Sequence, residues 1–272
     1  MSDHVFTGSE EMERLRLQAQ VWQPEAEAML EHIGVAPGWR CVDLGCGAMG
    51  ILGPLSRRAG PTGRVVGVDQ DATLLAAAQT YIRQEGLANV ELLRRDVYQT
   101  GLTPASFDLV HERFVFPYVA SPELLLQEMV SLVKPGGIVA VQEIDHSSWN
   151  FWPASERWRR LVRIIEQVFA LWSDINIGRR AYTMLRNVGL TDVRVHAAVQ
   201  AHQASHPYLQ APLLMVQAMR ARIVNTGIAT PAELDELLDE ARRLAADPEV
   251  FQISFTLVQV WGRKPNNPPP LE

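Results

Sequence analysis

The fold of this 272-residue chain is indicated by one stretch, Val42-Asp43-Leu44-Gly45-Cys46-Gly47-Ala48-Met49-Gly50. An apolar run ends beside an acidic residue and then breaks into closely spaced glycines, which predicts a strand, a tight turn and the start of a helix. The glycines let the backbone turn sharply and let a ligand approach it, and the N–H groups that open the helix form a partly positive rim. By itself, G-x-G-x-x-G also occurs in plain strand-to-helix turns.

A second strand strengthens this interpretation. Arg64-Val65-Val66-Gly67-Val68-Asp69 is another apolar run that ends in a carboxylate. Asp69, with Gln70 beside it, lies about 20 residues beyond the glycines, where a carboxylate that accepts the hydroxyl protons of a ribose is expected. The two stretches together predict a site for an adenosine-type cofactor.

These residues resemble the class I S-adenosylmethionine-dependent methyltransferases, in their small-molecule branch. The discriminating residue is Asp43, two positions before the first glycine, because a negative charge there suits a ligand with a cationic amine and a sulfonium and would repel a pyrophosphate. The resemblance covers the chain from Trp39 to Asp145 and extends more loosely to Lys264. It implies an α/β, Rossmann-like, doubly wound seven-stranded sheet that is mostly parallel, with an antiparallel last strand between the fifth and sixth, plus a helical lid.

Composition narrows the class of acceptor. Hydrophobic residues make up 47% of the chain, which is enough for a sizeable core, and 25 basic against 31 acidic residues give a net charge of −6. No long Lys/Arg run is present, and the Asn/Asp-Pro-Pro-Tyr/Phe motif of amino-methylating nucleic-acid enzymes is missing after the fourth strand. These features favour a small-molecule acceptor over nucleic acid.

Cysteine usage and the chain ends predict a cytoplasmic protein without a membrane span. Cys41 and Cys46 lack the spacing of a zinc site and are expected to be free thiols in a reducing compartment. The N-terminus has no signal-peptide pattern. Residues 265–272 are rich in proline and are expected to form a disordered tail.

The pattern of apolar runs predicts three parts of the chain: lid helices at 1–34, a methyltransferase domain at 35–264 and the tail. The domain would carry helical insertions at about 149–176 and 205–247. Predicted strands are 40–44, 64–68, 90–94, 107–111, 138–143, 193–199 and 251–261. Predicted helices are 10–33 in two pieces near Pro24, 48–59, 71–85, one opened by Ser121, 155–172, 178–188, 207–226 and 231–246.

The resemblance also implies a set of cofactor-binding residues at the carboxyl ends of the strands. Asp96 follows the third strand, where the family places an acidic residue beside the adenine amino group and the next backbone N–H on a ring nitrogen. An exposed loop aspartate is the alternative. The predicted set is Asp43, Gly45, Cys46, Gly47, Asp69, Gln70, Asp96, Val97 and His111.

Two histidines are candidate catalytic bases. His111 ends the fourth strand and His146 follows the fifth; we prefer His146 and favour a structural role for His111. A base is optional, because methyl transfer from a sulfonium depends mainly on positioning. His202 and His206 have an i, i+4 metal spacing but no third ligand nearby, which favours a surface loop and no metal.

Aromatic residues outside the sheet are candidates for the acceptor pocket. We predict that Trp22, Trp149 and Trp152 wall it. The alternative is that they hold the lid on the core, as buried aromatic residues often do.

The function predicted from these features is transfer of a methyl group from S-adenosyl-L-methionine to a small, aromatic or apolar metabolite, by a monomer or homodimer. Three alternatives stay open: a non-methylating enzyme with the same cofactor, such as a cyclase; a nicotinamide-dependent oxidoreductase; and a sensor that only binds. The sequence does not specify the acceptor atom or the metabolite.

Overall fold

The structure is a computed structural model that describes residues 9–266. The first eight residues of the predicted lid and residues 267–272 of the predicted tail lie outside this range. The helices are α1 (Ser9–Val21), α2 (Gln23–Ile33), α3 (Leu52–Ala59), α4 (Ala72–Gln84), α5 (Pro122–Leu132), α6 (Glu156–Phe169), α7 (Gly178–Asn187), α8 (Ala211–Asn225) and α9 (Pro231–Ala246). The strands are β1 (Arg40–Leu44), β2 (Arg64–Asp69), β3 (Val90–Arg94), β4 (Phe107–Arg113), β5 (Val133–Asp145), β6 (Asn150–Trp152), β7 (Thr191–Ala198), β8 (Ala201–Gln203), β9 (Phe251–Ile253) and β10 (Thr256–Arg263).

The main sheet has seven strands in the order β3-β2-β1-β4-β5-β10-β7. Strands β1 to β5 run parallel, and β10 lies antiparallel between β5 and β7. The order reverses at β1, as in a doubly wound sheet, and this is where such sheets bind ligands. The predicted fold class and the predicted position of the last strand are confirmed.

The strand register brings the predicted acidic residues to one edge of the sheet. Asp43 is paired with Gly67 on β2 and with His111 on β4, and Asp69 is paired with Arg94 on β3. Because parallel strands end at the same edge, the carboxyl ends of β1, β2 and β4 lie next to one another. The sheet therefore positions Asp43, Asp69 and His111 as neighbours.

Helix starts follow capping chemistry where it was predicted. The Ser121 hydroxyl accepts the Leu124 N–H at 3.2 Å, with Pro122 in the first turn of α5, and the Thr230 hydroxyl accepts the Glu233 N–H at 3.1 Å at the start of α9. The prediction for α3 is wrong at its start. The helix begins at Leu52 and not at residue 48, because the backbone is still in a left-handed conformation at Gly50.

The prediction of one long last strand is also wrong. Residues 251–261 divide into β9 and the start of β10, with a break at Ser254. The two pieces belong to different sheets, since β9 is the centre of an antiparallel three-stranded sheet, β6-β9-β8. β6 also lies within residues 149–176, which were predicted to be a helical insertion.

The chain divides into two compact units. The unit that we call the cofactor unit comprises Trp22–Glu143, Gly178–His196 and residues 258–266. The second, which we call the aromatic unit, comprises α1, Ile144–Ile177 and Ala197–Leu257. No helix within residues 9–266 combines the length and the apolar character that a membrane span requires.

Candidate active site

The glycine turn that follows β1 is tied to β2 by its own backbone. The N–H groups of Gly45 and Cys46 both donate to the Val68 carbonyl, at 2.8 and 3.0 Å. A Cβ on Gly45 would overlap the Val115 side chain, whereas a Cβ on Gly47 would meet no atom within 4 Å. Gly47 still requires glycine because its φ is +56°. Gly47 is therefore the position of the turn where a ligand has room to approach the backbone.

Asp69 at the end of β2 connects the second strand to the glycine turn. Its Oδ2 accepts the Gly47 N–H at 2.9 Å and its Oδ1 accepts the Asp71 N–H at 2.9 Å. Burial raises the pKa of the Asp69 carboxyl above its ordinary value, and these two N–H groups partly oppose that shift. The carboxylate is thus fixed beside Gly47, where the ribose of an adenosine-type cofactor is expected. Gln70, next in the chain, is exposed.

Asp96 and Val97 lie in the loop that follows β3. The Asp96 carboxylate is exposed, and its Oδ1 accepts the Tyr98 N–H at 2.8 Å, while Val97 is half-buried. This local hydrogen bond shapes the loop whether or not a ligand is present. The adenine contact proposed for these residues stays a prediction.

Asp43 and His111 form the start of a buried hydrogen-bond chain. Asp43 Oδ1 lies 2.7 Å from His111 Nδ1, and His111 Nε2 lies 2.8 Å from Gln142 Nε2. Gln142 Oε1 accepts from Gln259 Nε2 at 2.8 Å, and Gln259 Nε2 also donates to the Glu25 carbonyl at 3.0 Å. The chain thus crosses the sheet from β1 through β4 and β5 to β10.

The direction of each hydrogen bond determines which imidazole nitrogen of His111 carries the proton. A backbone carbonyl can only accept, so the amide nitrogen of Gln259 faces Glu25 and Gln142 Oε1 must accept from the same group. Gln142 then donates its N–H to His111 Nε2, and the imidazole proton is on Nδ1 and points to Asp43. The imidazole therefore carries its proton on Nδ1, Asp43 Oδ1 accepts that N–H, and both imidazole nitrogens are engaged. This geometry gives His111 a role in orienting Asp43 and leaves it no nitrogen with which to act as a base.

Arg113 and Val115 contact the turn from the end of β4, and the sequence analysis did not assign either contact. Arg113 Nη2 donates to the Gly50 carbonyl at 2.9 Å, and Val115 packs against Gly45. Burial raises the pKa of the Cys46 thiol well above its ordinary value, with Asp43 and Asp69 adding to the shift, so this thiol stays protonated. The turn is held by the backbone and by β4, and not by cysteine chemistry.

His146 and Trp149 lie in the aromatic unit. Their ring centroids are 4.8 Å apart, and Trp149 packs edge-on against Trp158 at 5.2 Å. The Trp158 indole N–H donates to the Trp149 carbonyl at 3.3 Å. His146 and Trp149 are both buried, so the packing role that was left open for the aromatic residues describes Trp149. Catalysis by His146 stays a prediction.

The other two predicted pocket residues have opposite exposures. Trp22, in the cofactor unit, is fully buried and has no surface with which to line an open pocket in this conformation. Trp152, in the aromatic unit, is 50% exposed. The surface-loop interpretation of His202 is wrong, because His202 lies in β8, is buried, and stacks on His206 with ring centroids 4.2 Å apart.

Gln142 and Gln259 are the main site residues that sequence reasoning missed. Each is a fully or nearly fully buried amide within a strand: Gln259 lies between two valines, and Gln142 follows the apolar run 138–141. A glutamine within a predicted buried strand was the available sequence signal, because a buried amide requires a hydrogen-bond partner. It could not identify the partner, which lies 117 residues away in the chain.

Comparison with known proteins identifies the family of this chain. Residues 36–189, more than half of the chain, match the methyltransferase domain family. A 37.1 kDa protein of transposon TN4556 from Streptomyces fradiae is 33% identical over 44% of this chain and 34% of its own length. Demethylmenaquinone methyltransferase from Geobacillus kaustophilus is 30% identical over 43% of this chain and 50% of its own length. The matches thus span half or less of these relatives.

Solved structures share the fold. Haemonchus contortus phosphoethanolamine N-methyltransferase 2, in complex with phosphomonomethylethanolamine and S-adenosylhomocysteine, aligns with a TM-score of 0.54 at 20% identity, over 89% of this chain and 52% of that one. Geranyl diphosphate C-methyltransferase from Streptomyces coelicolor aligns with a TM-score of 0.54 at 19% identity, over 89% and 78%. With the sheet order, the glycine turn and the family match together, the chain belongs to the methyltransferase domain family, within the class I S-adenosylmethionine-dependent methyltransferases.

Proposed function

We propose that this protein transfers a methyl group from S-adenosylmethionine to a small, aromatic or apolar metabolite. The observation that carries the proposal is the pairing of an open glycine with a fixed carboxylate: Gly47 has free space in front of it, and Asp69 is hydrogen-bonded to the Gly47 N–H. A nucleoside with a ribose diol fits such a pair, because the backbone offers close approach and the carboxylate accepts two hydroxyl protons.

The residues that would hold the cofactor come from three strands. Asp69 and Gln70 would serve the ribose, and the loop with Asp96 and Val97 would serve the adenine. The glycine turn, with Gly45, Cys46 and Gly47, would border the methionine portion. When bound, S-adenosylmethionine supplies an electrophilic methyl group on a sulfonium.

Asp43 would contribute charge and not a direct proton transfer. Its carboxylate is 2% exposed, its Oδ2 lies 3.4 Å from the Ile51 N–H, and His111 keeps its other oxygen oriented. A fixed negative charge in a low-dielectric region attracts a cationic ligand more strongly than a solvated one. This arrangement favours an amine-bearing sulfonium over a pyrophosphate and thereby disfavours the nicotinamide alternative, as the family match does.

Two observations support a small, apolar or aromatic acceptor. The net charge of −6, with no long Lys/Arg run in the sequence, disfavours a polyanionic acceptor such as nucleic acid. Several relatives of about 30% identity are demethylmenaquinone methyltransferases, which are named for a small-molecule acceptor. Reaction at such an acceptor requires mainly orientation and exclusion of water. The same features suit a cytoplasmic protein that acts on metabolites.

The test is binding followed by transfer. Calorimetry should detect S-adenosylhomocysteine binding and no comparable binding of NAD, and incubation with methyl-labelled donor should label a quinol, phenol or other apolar acceptor from a panel. Gly47→Val, which fills the open space and strains the turn, should abolish both signals, whereas Gly86→Val, at a second open glycine with positive φ outside the site, should abolish neither. Tight NAD binding without a response to S-adenosylhomocysteine would contradict the proposal. Cofactor binding with labelling of no acceptor would favour the non-methylating alternatives.

A further inference from the structure

Two fully buried glutamates occupy the carboxyl ends of β4 and β5, in the cofactor unit. Glu112 and Glu143 both have no exposed surface. Glu112 Oε2 accepts the Val115 N–H at 3.0 Å, and Glu143 Oε1 accepts the Phe116 N–H at 2.9 Å. Each carboxyl therefore uses one oxygen to hold a successive backbone amide of the same short loop.

That loop, residues 114–116, is the segment that packs on the glycine turn. The Val115 side chain lies against Gly45 so closely that a Cβ on Gly45 would overlap it. Phe114 has φ +60°, a left-handed conformation that costs a non-glycine residue free energy and needs support from its surroundings. The two glutamates supply that support, since their oxygens fix the two amides that follow Phe114.

The charged groups around Glu112 make a second negative charge costly. Glu143 on β5 and Asp43 on β1 are both acidic, and Arg113 on β4 directs Nη2 to the Gly50 carbonyl. Burial raises the pKa of the Glu112 carboxyl well above its ordinary value, the neighbouring charge of Glu143 raises it further, and the Val115 N–H partly opposes the shift. The remaining oxygen, Glu112 Oε1, is buried and has no donor among the residues of the described chain.

We propose that Glu112 and Glu143 share one proton and act as positioning residues that hold loop 114–116 against the cofactor-binding glycine turn, so that removal of the proton releases the loop. The shared proton lies between the two carboxyls, while their outer oxygens accept the Val115 and Phe116 amides. Deprotonation at alkaline pH would place two like charges together in a buried site, and separation of the carboxyls would relieve the repulsion at the expense of the loop. The loop contact is seen in the fold itself, and its effect on binding rests on the proposed function of the turn.

The discriminating variant is Glu112→Gln. The glutamine oxygen accepts the Val115 N–H and its NH₂ donates to Glu143, so it reproduces the protonated carboxyl but does not titrate. Glu112→Ala removes both interactions. Glu85→Gln, an exposed glutamate of the same unit, is the matched control for loss of one negative charge.

The first measurement is amide hydrogen exchange at Val115 and Phe116 without ligand. Because chemical exchange itself accelerates with pH, variants are compared with the wild type at the same pH. At about pH 9.5, well above the ordinary glutamate range, we expect tenfold or greater protection of these amides in Glu112→Gln relative to the wild type and Glu85→Gln, and equal protection of all three at about pH 6. Equal protection at both pH values would overturn the proposal.

The second measurement is calorimetric affinity for S-adenosylhomocysteine over the same range. The ligand's own amine loses its charge toward alkaline pH, so every variant should lose some affinity there. The wild type and Glu85→Gln should lose about tenfold more than Glu112→Gln, and Glu112→Ala should bind weakly throughout. A parallel pH profile in Glu112→Gln and the wild type would contradict the shared proton. Absence of binding by the wild type at every pH would instead contradict the proposed function, and the exchange data then judge the glutamate pair alone.

Discussion

The two compact units stabilise their interiors in different ways. In the cofactor unit, Asp43, His111, Gln142 and Gln259 form one continuous chain in which each side-chain donor meets an acceptor. In the aromatic unit, the interior is a set of rings in edge-on contact around Trp158. A hydrogen bond requires a particular distance and direction between donor and acceptor, whereas apolar packing depends mainly on filling the available volume. Substitutions of polar residues beside the glycine turn should therefore change cofactor binding, whereas truncation of the buried rings around Trp158 should mainly change stability.

Trp158→Ala should give the largest effect on stability. Trp158 is fully buried between Trp149 and Phe151, so its removal leaves a large cavity and should lower the free energy of unfolding by about 3–5 kcal/mol. Chemical denaturation measures the loss, and Trp158→Phe, which retains a ring, should lose less. Affinity for S-adenosylhomocysteine should stay near the wild-type value in the folded protein. A large loss of affinity with little loss of stability would remove the distinction between the units.

Asp69→Ala should give the largest effect on binding. Loss of two charge-assisted hydrogen bonds to a ribose, and of the acceptor for the Gly47 N–H, should weaken cofactor binding by about 2–4 kcal/mol. Calorimetry with S-adenosylhomocysteine checks this. The affinity of Asp69→Asn, which keeps one acceptor oxygen, should lie between those of the wild type and Asp69→Ala. Unchanged affinity in Asp69→Ala would remove the ribose assignment.

The same carboxyl gives a pH prediction on the acidic side. The ionised form of Asp69 accepts the N–H groups, and burial raises its pKa above the ordinary value. Cofactor affinity should therefore decrease as pH falls through this raised pKa, that is, at a higher pH than an ordinary aspartate would give. In Asp69→Asn the decrease should disappear. Its persistence in that variant would assign the titration to another group.

The parts of the fold that the sequence predicted are those encoded locally. The runs that form β1 to β4 are largely apolar and are separated by helices or by loops with turn residues, so each could be located from about ten residues. β6, β8 and β9 have three residues each, too few to show any periodicity. Whether such a segment pairs depends on partners elsewhere in the chain, as Phe251 does on Trp152 and Gln203.

The candidate site divides in the same way. Asp43, Gly47 and Asp69 were identified because a spacing along one βαβ unit specifies their chemistry. The roles of Glu112 and Gln142 depend on which side chain lies across the sheet, and neighbouring residues do not encode that choice. The state of His111 illustrates this limit, since it is decided by Gln259, 148 positions later in the chain.

Gln142→Leu should have an intermediate effect in the cofactor unit. It leaves His111 Nε2 without its donor and removes one of the two acceptors of Gln259 Nε2, which should cost about 1–3 kcal/mol of stability. The coupling is measured with Gln259→Leu and the double variant in a double-mutant cycle. If the two glutamines act as one chain, the double variant should lose less than the sum of the single losses. Strict additivity would show that the chain is not energetically connected.

Trp152→Ala should have the smallest effect on stability. Trp152 is 50% exposed, so its truncation should cost less than about 1 kcal/mol, in contrast to Trp158→Ala. If Trp152 contacts the acceptor, kcat/KM and acceptor preference should change with little change in cofactor affinity. Steady-state kinetics on two acceptors of different size separate these effects. Unchanged kinetics would exclude Trp152 from the pocket.

The hydrogen bond from Gln259 to the Glu25 carbonyl has a consequence for the order in which the protein folds. It joins residues 234 positions apart, and β10 enters the sheet between two strands that are made earlier. During synthesis from the N-terminus, β1 to β5 emerge long before their last neighbour. The nascent sheet therefore has an unpaired edge at β5, and Gln142 Oε1 lacks the donor that Gln259 supplies. The hydrogen-bond chain that starts at Asp43, beside the glycine turn, is therefore completed only when β10 has left the ribosome.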